Sequence, residues 1–226
     1  MPFKLKLIYI LCCLIDAIAF TFHNKWLTPF GALPVLCLLT FYYLSNNGTY
    51  KLKDYTYTLG LTFSAIADFV FEFRTIIAKV IAMVLYVFTF SFYIAIVRKE
   101  AVFSTSPKEL LKLILNLILI MSPFFFVFSK VPTDYFFSSI IYMVFLSLLY
   151  INALLRKTNK SSYQWFLAGT LGFVSLTITD IYFAFVIKVP HGDLINKVLY
   201  QFAQYAIFLG VIKTNKSFNT FSAANE

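Results

Sequence analysis

Charge is the scarcest property of this chain. Asp, Glu, Lys and Arg make up 13% of its 226 residues, against about 25% in soluble domains. There are only two histidines, His23 and His191, and three cysteines, Cys12, Cys13 and Cys37. With no C-x-x-C pair and no His/Cys cluster, nothing in the spacing suggests a metal site or a bound cofactor. The cysteines sit in apolar runs and read as buried, chemically idle thiols. There is no G-x-S-x-G, and no histidine falls inside an apolar run to act as a base, which argues against a serine-hydrolase triad. The net charge of +9 comes from basic residues scattered between apolar runs. They form no continuous stripe, so the charge does not indicate a nucleic-acid partner.

What is abundant is apolar surface: 60% of residues are hydrophobic and 20% aromatic. A bilayer core of ~30 Å needs about 20 apolar residues per helix, and such runs recur along the whole chain. The expectation is an all-α, polytopic membrane protein forming one integral membrane domain over 1–226. Eight spans are expected near 5–22, 29–45, 55–73, 76–97, 108–128, 135–155, 163–187 and 194–213. The first resembles a signal peptide, with Lys4, Lys6 and Ala17-Ile-Ala19, but Asp16 interrupts that pattern and the segment is kept as a span. Thr28-Pro29 and Ser106-Pro107 carry helix-start chemistry. Asp134, Ser162 and Asp193 are candidate caps, and Pro34 and Pro123 are candidate kinks. Alternate loops divide the 19 basic residues 13 to 6, which places both termini in the cytoplasm by the positive-inside rule.

A nine-residue frame occurs twice, as Gly60-Leu-Thr-Phe-Ser-Ala-Ile-Ala-Asp68 and Gly172-Phe-Val-Ser-Leu-Thr-Ile-Thr-Asp180. Phenylalanine follows at the third and fifth positions after each Asp. The two aspartates are 112 residues apart, one in each half, which suggests two parallel four-helix repeats over roughly 1–105 and 106–226. Both carboxylates then lie in the outer half of the membrane, where an ionisable group marks function by default. Asp68 and Asp180 are the candidate catalytic residues: two carboxyl groups in one cavity, one protonated and one ionised, make a general acid and base. Asp16 reaches a similar depth, and Glu72 lies one turn beyond Asp68. No Lys or Arg lies deep in a span to pair with these acids. Ser64, four residues before Asp68, is placed to bond it along the helix. Tyr200 and Gln204 share a face of the last span, where Gln204 needs a partner inside the bundle and is expected to border the same cavity. Asp16, Ser64, Tyr200 and Gln204 are therefore the candidate substrate-binding residues.

With these residues in view, the chain resembles the YhhN-like family of membrane proteins, which includes the lysoplasmalogenases. The resemblance rests on Leu59-Gly-Leu-Thr-Phe-Ser-Ala-Ile-Ala-Asp68, Phe173-Val-Ser-Leu-Thr-Ile-Thr-Asp180 and Tyr200-x3-Gln204-x5-Gly210. It departs from the family pattern at three places. Leu33-Pro34 lacks the usual Lys, Phe90-x-x-Tyr93 lacks a His, and Ala67-Asp68 replaces Gly-Asp. The resemblance implies hydrolysis of the vinyl ether bond of a lysoplasmalogen, a lysophospholipid substrate drawn from the membrane lipid. The products are a fatty aldehyde and a glycerophospho-headgroup compound. A small-molecule or proton-coupled transporter suits paired intramembrane acids as well, although no Gly/Pro-interrupted pair occurs at matching positions. A non-catalytic membrane protein is the third alternative.

Overall fold

The computed structural model describes residues 3–22, 30–46, 50–73, 75–103, 106–187 and 189–223. His23 and the Thr28-Pro29 start signal lie outside them. The described chain forms eight helices: α1 Phe3–Phe22, α2 Leu33–Ser45, α3 Leu52–Phe71, α4 Ile76–Arg98, α5 Pro107–Phe128, α6 Thr133–Leu154, α7 Lys160–Phe185 and α8 Gly192–Ala223. No strand occurs among the described residues; one isolated antiparallel bridge joins Ala101 to Arg156.

Among the described residues, four helical segments are long and apolar enough to cross a membrane: Ile76–Arg98, Pro107–Val127, Thr133–Leu154 and Lys160–Ala184. Of the other four helices, α8 is interrupted by Asn196, Lys197, Gln201 and Gln204, and α1, α2 and α3 fall short of the expected spans for distinct reasons. Helix α2 has 13 residues, about 20 Å at 1.5 Å per residue. Helices α1 and α3 have 20 residues each, but α1 carries Lys4, Lys6 and Asp16, and α3 carries Lys53, Asp54 and Asp68. The outer surface is heavily apolar, with Phe126 83% and Phe125 and Phe137 each 75% exposed. Exposure on this scale is unusual for a monomer in water.

The helix boundaries follow local chemistry. Thr75 caps α4, its side-chain oxygen accepting from the Ala78 amide at 3.1 Å. Ser106 is the N-cap of α5, with Pro107 as the first helical residue. Helix α7 starts one turn earlier than expected. Asn159, not Ser162, is its cap, and Asn159 accepts from the Ser162 amide at 2.8 Å. Pro34 falls in the first turn of α2, where its missing N–H costs no helical hydrogen bond, so it begins that helix instead of kinking it. Pro123 lies inside α5.

Packing is closest between α7 and α8 and between α3 and α4, with α4 also against α6. The α7–α8 contact is built on glycine. Gly169 and Gly172 face Ala203 and Ile207, and Gly210 faces Phe166. Small residues of this kind let helix backbones approach closely.

One end of the bundle is locked by a buried cation. The Arg156 side chain is fully buried and pairs through Nε with Glu100 at 2.5 Å. Its Nη2 donates to Thr214 on α8 at 2.5 Å, and its guanidinium stacks over the Phe166 ring at 4.9 Å. Burial lowers the Arg156 pKa, and the Glu100 charge opposes that. The opposite end, where α1, α3 and α7 finish and α4, α6 and α8 begin, opens into a cavity.

Candidate active site

The cavity has a volume of about 480 Å³. Asp68 near the end of α3 and Asp180 near the end of α7 both line it, together with Tyr86 of α4, Tyr142 of α6, and Asn196 and Tyr200 of α8. Helical spacing accounts for much of this wall. Residues 79, 83 and 86 of α4 recur at i, i+4 and i+7, and residues 196 and 200 of α8 at i and i+4, so each set shares a face.

Asp68 ends a chain of hydrogen bonds whose polarity can be read from its ends. Tyr93 donates to Gln204 Oε1 at 2.9 Å, and Gln204 Nε2 donates to Ser64 Oγ at 2.6 Å. Tyr200 donates to Asp68 Oδ2 at 2.8 Å, so its oxygen must accept from its other partners, Ser64 Oγ at 2.7 Å and Gln204 Nε2 at 3.0 Å. Tyr86 donates to the other carboxyl oxygen, Oδ1, at 2.5 Å. Every donor in the network thus points toward Asp68. Ser64 and Gln204 are completely buried and Asp68 is 5% exposed, and a fully satisfied buried network of this kind fixes its members rigidly.

Asp180 sits in a different environment, although its sequence frame matches. Thr179 Oγ1 donates to Asn196 Oδ1 at 2.7 Å, which orients the amide so that Asn196 Nδ2 donates to Asp180 Oδ1 at 3.1 Å. Among the described residues, Asp180 Oδ2 accepts no hydrogen bond. One carboxyl group is therefore held on both oxygens and the other on one.

Several residues stand elsewhere than their spacing suggested. Ser64 does not bond Asp68 along α3; it reaches Tyr200 and Gln204 on α8. Gln204 lies behind Tyr200 and is not part of the cavity wall. Asp16 is also off the wall. Its Oδ1 pairs with Lys197 at 2.9 Å, and its Oδ2 accepts from Gln201 at 2.7 Å. Lys197 also pairs with Glu72 at 2.6 Å. This corrects the expectation that the buried acids lack a cation. Lys197 belongs to the first turns of α8 but folds inward, its side chain only 13% exposed and 4.9 Å from the Phe20 ring.

Three contributors were not apparent from the sequence: Tyr86, Asn196 and Lys197. A signal for two of them was present. Asn196, Tyr200 and Gln204 recur at intervals of four on α8, as do Lys197 and Gln201, so the helix carries two adjacent polar stripes into an apolar bundle. Tyr86 had no such signal, being one of 15 tyrosines.

A family model described as YhhN family matches residues 26–211. The chain belongs to the YhhN family. No curated protein and no solved structure matches it. The YhhN match includes every cavity-lining residue except Phe20, and it leaves out Asp16. In this YhhN chain Phe90, the residue at the site of the missing His, is fully buried. Its ring stands 5.2 Å from that of Tyr142 and 5.3 Å from that of Phe173. Phe90 therefore packs behind the cavity wall, and the polar contact from this turn of α4 comes from Tyr93.

Proposed function

We propose that this protein is a multi-pass membrane enzyme that hydrolyses the vinyl ether bond of lysoplasmalogens, with Asp180 as general acid and Asp68 as general base. The observation that carries the proposal is the presence of both carboxyl groups on one cavity in unequal hydrogen-bonding environments. YhhN family membership supports it as an association of fold with chemistry. In this reading all eight helices belong to the membrane domain, in two parallel four-helix repeats with both termini cytoplasmic. The cavity opens toward the outer half of the bilayer.

The reaction requires a proton on carbon and a water on the carbon that bears the ether oxygen. Asp180, with Oδ2 free of protein donors, gives its proton to the outer vinyl carbon. The double-bond electrons form the new C–H bond and leave an oxocarbenium ion. Asp68 stabilises that cation and takes a proton from the attacking water, leaving a neutral hemiacetal. The hemiacetal then collapses as its carbon–oxygen bond to glycerol breaks. Asp68 returns its proton to the glycerol oxygen, and the hemiacetal hydroxyl reprotonates Asp180. Water is consumed, aldehyde and glycerophospho-headgroup compound are released, and both carboxyls return to their starting states. Paired carboxylates divide the same tasks in glycosidases.

The test is aldehyde release from a lysoplasmalogen panel by the purified protein. Asp68→Asn and Asp180→Asn should fold normally, and each should lose about 10²–10⁴-fold in turnover. The double variant should be little worse than the worse single one, because residues acting as a unit are non-additive. Absence of aldehyde from wild-type protein with every vinyl ether lipid would refute the hydrolase and favour the transporter or non-catalytic alternative.

A further inference from the structure

At the end of the bundle away from the cavity, the fold gathers positive charge from two connections. Three of the segments long enough to cross a membrane meet there: Ile76–Arg98 and Thr133–Leu154 end at it, and Lys160–Ala184 begins at it. The two connections are tied to each other through their backbones. The Lys157 amide donates to the Glu100 carbonyl at 2.8 Å and the Val102 amide to the Leu155 carbonyl at 3.0 Å, on either side of the Ala101–Arg156 bridge. This pairing sets Lys157 beside Glu100 and therefore close to Arg98 and Lys99. Residues 98–103 and 156–160 together hold five cations, Arg98, Lys99, Arg156, Lys157 and Lys160, and one acid, Glu100. Glu100 is already paired, with Arg156 at 2.5 Å and Lys53 at 3.1 Å. Asp54, the other acid nearby, is buried and accepts from Tyr42 and the Lys51 amide. Arg98, Lys99 and Lys157 are exposed and form no ion pair among the described residues. Exposed apolar residues, Val102 and Phe103, follow directly, and the Arg98 guanidinium lies 4.4 Å over the Phe103 ring.

We infer that this end of the protein holds a site for an anionic phospholipid that is not a substrate, with Arg98, Lys99 and Lys157 receiving its phosphate and acidic headgroup. Cations at the ends of spanning segments, beside an exposed ring, stand at the depth of the lipid phosphates. A phosphate accepts charge-assisted hydrogen bonds from both guanidinium and ammonium groups. With both termini cytoplasmic, this end faces the leaflet whose lipids carry the negative charge. Orientation in the membrane needs only the number of cations in each loop. The backbone ladder does more, because it joins the loops and makes one group of cations that are 58 residues apart, Lys99 and Lys157. The site is separate from the cavity and does not depend on the hydrolase reading.

Retention of single lipids by the full-length protein, released from detergent in a native mass spectrometer, tests this. Offered equal amounts of phosphatidylglycerol and phosphatidylcholine with the same chains, wild type should keep one phosphatidylglycerol with a preference of about tenfold or more, since each cation near a membrane surface is worth about fivefold. Lys99→Gln and Lys157→Gln leave the Arg156–Glu100 pair intact and should each lower that preference about fivefold. Arg98→Gln/Lys99→Gln/Lys157→Gln should abolish it, with the thermal midpoint in detergent unchanged. Lys4→Gln/Lys108→Gln/Lys112→Gln removes three other exposed cations, from α1 and α5, and should leave the preference in place. Equal retention of the two lipids by wild type overturns the proposal. An equal loss in the Lys4/Lys108/Lys112 variant also overturns it, because the attraction would then be diffuse surface charge without a site. Displacement of the lipid by an equal concentration of glycerol 3-phosphate would overturn the assignment to a lipid. The measurement involves no reaction, so neither this site nor the hydrolase falls with the other.

Discussion

The α7–α8 seam sets the position of every α8 side chain in the site, and it can be perturbed one methyl group at a time. A Cβ added at Gly210 would stand 2.7 Å from Phe166 Cβ, 2.8 Å from its amide nitrogen and 2.9 Å from its Cα. None of these atoms can be moved by a change of rotamer, so the helices themselves must separate. Overpacking a close interface costs about 1–3 kcal/mol, while replacing glycine by alanine in a helix returns about 1 kcal/mol. Because the obstruction is backbone, the cost should lie at the upper end, and Gly210→Ala should lose about 1–2 kcal/mol. At about 2–4 °C per kcal/mol for a chain of this length, the thermal midpoint in detergent should fall by several degrees. Gly169→Ala should behave alike, since its Cβ would meet the Ala203 carbonyl at 2.7 Å and the Ile207 amide at 2.8 Å. Gly172 differs in a useful way, because its nearest neighbour is the Ala203 Cβ at 3.0 Å. Moving the methyl from α8 to α7 in Gly172→Ala/Ala203→Gly cancels the propensity terms and should restore stability lost in Gly172→Ala. The coupling should exceed about 0.5 kcal/mol, as expected for residues in contact. The assay is thermal unfolding by near-ultraviolet circular dichroism on the purified variants. A Gly210→Ala protein as stable as wild type would refute the reasoning, and so would a double variant no better than Gly172→Ala.

Three further outcomes follow from the same structure. Tyr200→Phe keeps the ring beside Tyr86 and Phe173 but removes a donor to Asp68 and the acceptor of Ser64; on the hydrolase reading, aldehyde turnover should fall about 10- to 100-fold, the usual worth of a hydrogen bond to a charged group, and the thermal midpoint should fall by several degrees because buried partners are left unsatisfied. Glu100→Gln should cost about 3–5 kcal/mol, because it leaves the fully buried Arg156 cation without its counter-ion. Arg156→Met should cost less, since Glu100 keeps its ion pair with Lys53 at 3.1 Å; equal midpoints for wild type and Glu100→Gln would refute that account. Reporter fusions at the carboxyl terminus and near Lys130 should report opposite sides of the membrane, and a common compartment would refute the eight-span topology.

Helix content was legible in the sequence because hydrophobic run length and capping residues are local properties. Ser106 and Pro107 mark the start of α5 wherever that helix later packs. Asp68 and Asp180 were legible because a carboxyl group in an apolar run stands out against its neighbours. Their partners were not, because a hydrogen bond across 132 residues, as between Tyr200 and Asp68, depends on how the helices are rotated against one another. Lys197 shows the limit most clearly. Its position near a helix end reads as solvent-facing, and only the approach of α1 and α3 brings Asp16 and Glu72 within ion-pair distance. The matched frames likewise gave two equivalent aspartates, whereas packing surrounds one with two tyrosines and leaves the other with a single asparagine. That difference between like residues comes from the tertiary structure, because side-chain neighbours are set by helix packing and not by position in a repeat.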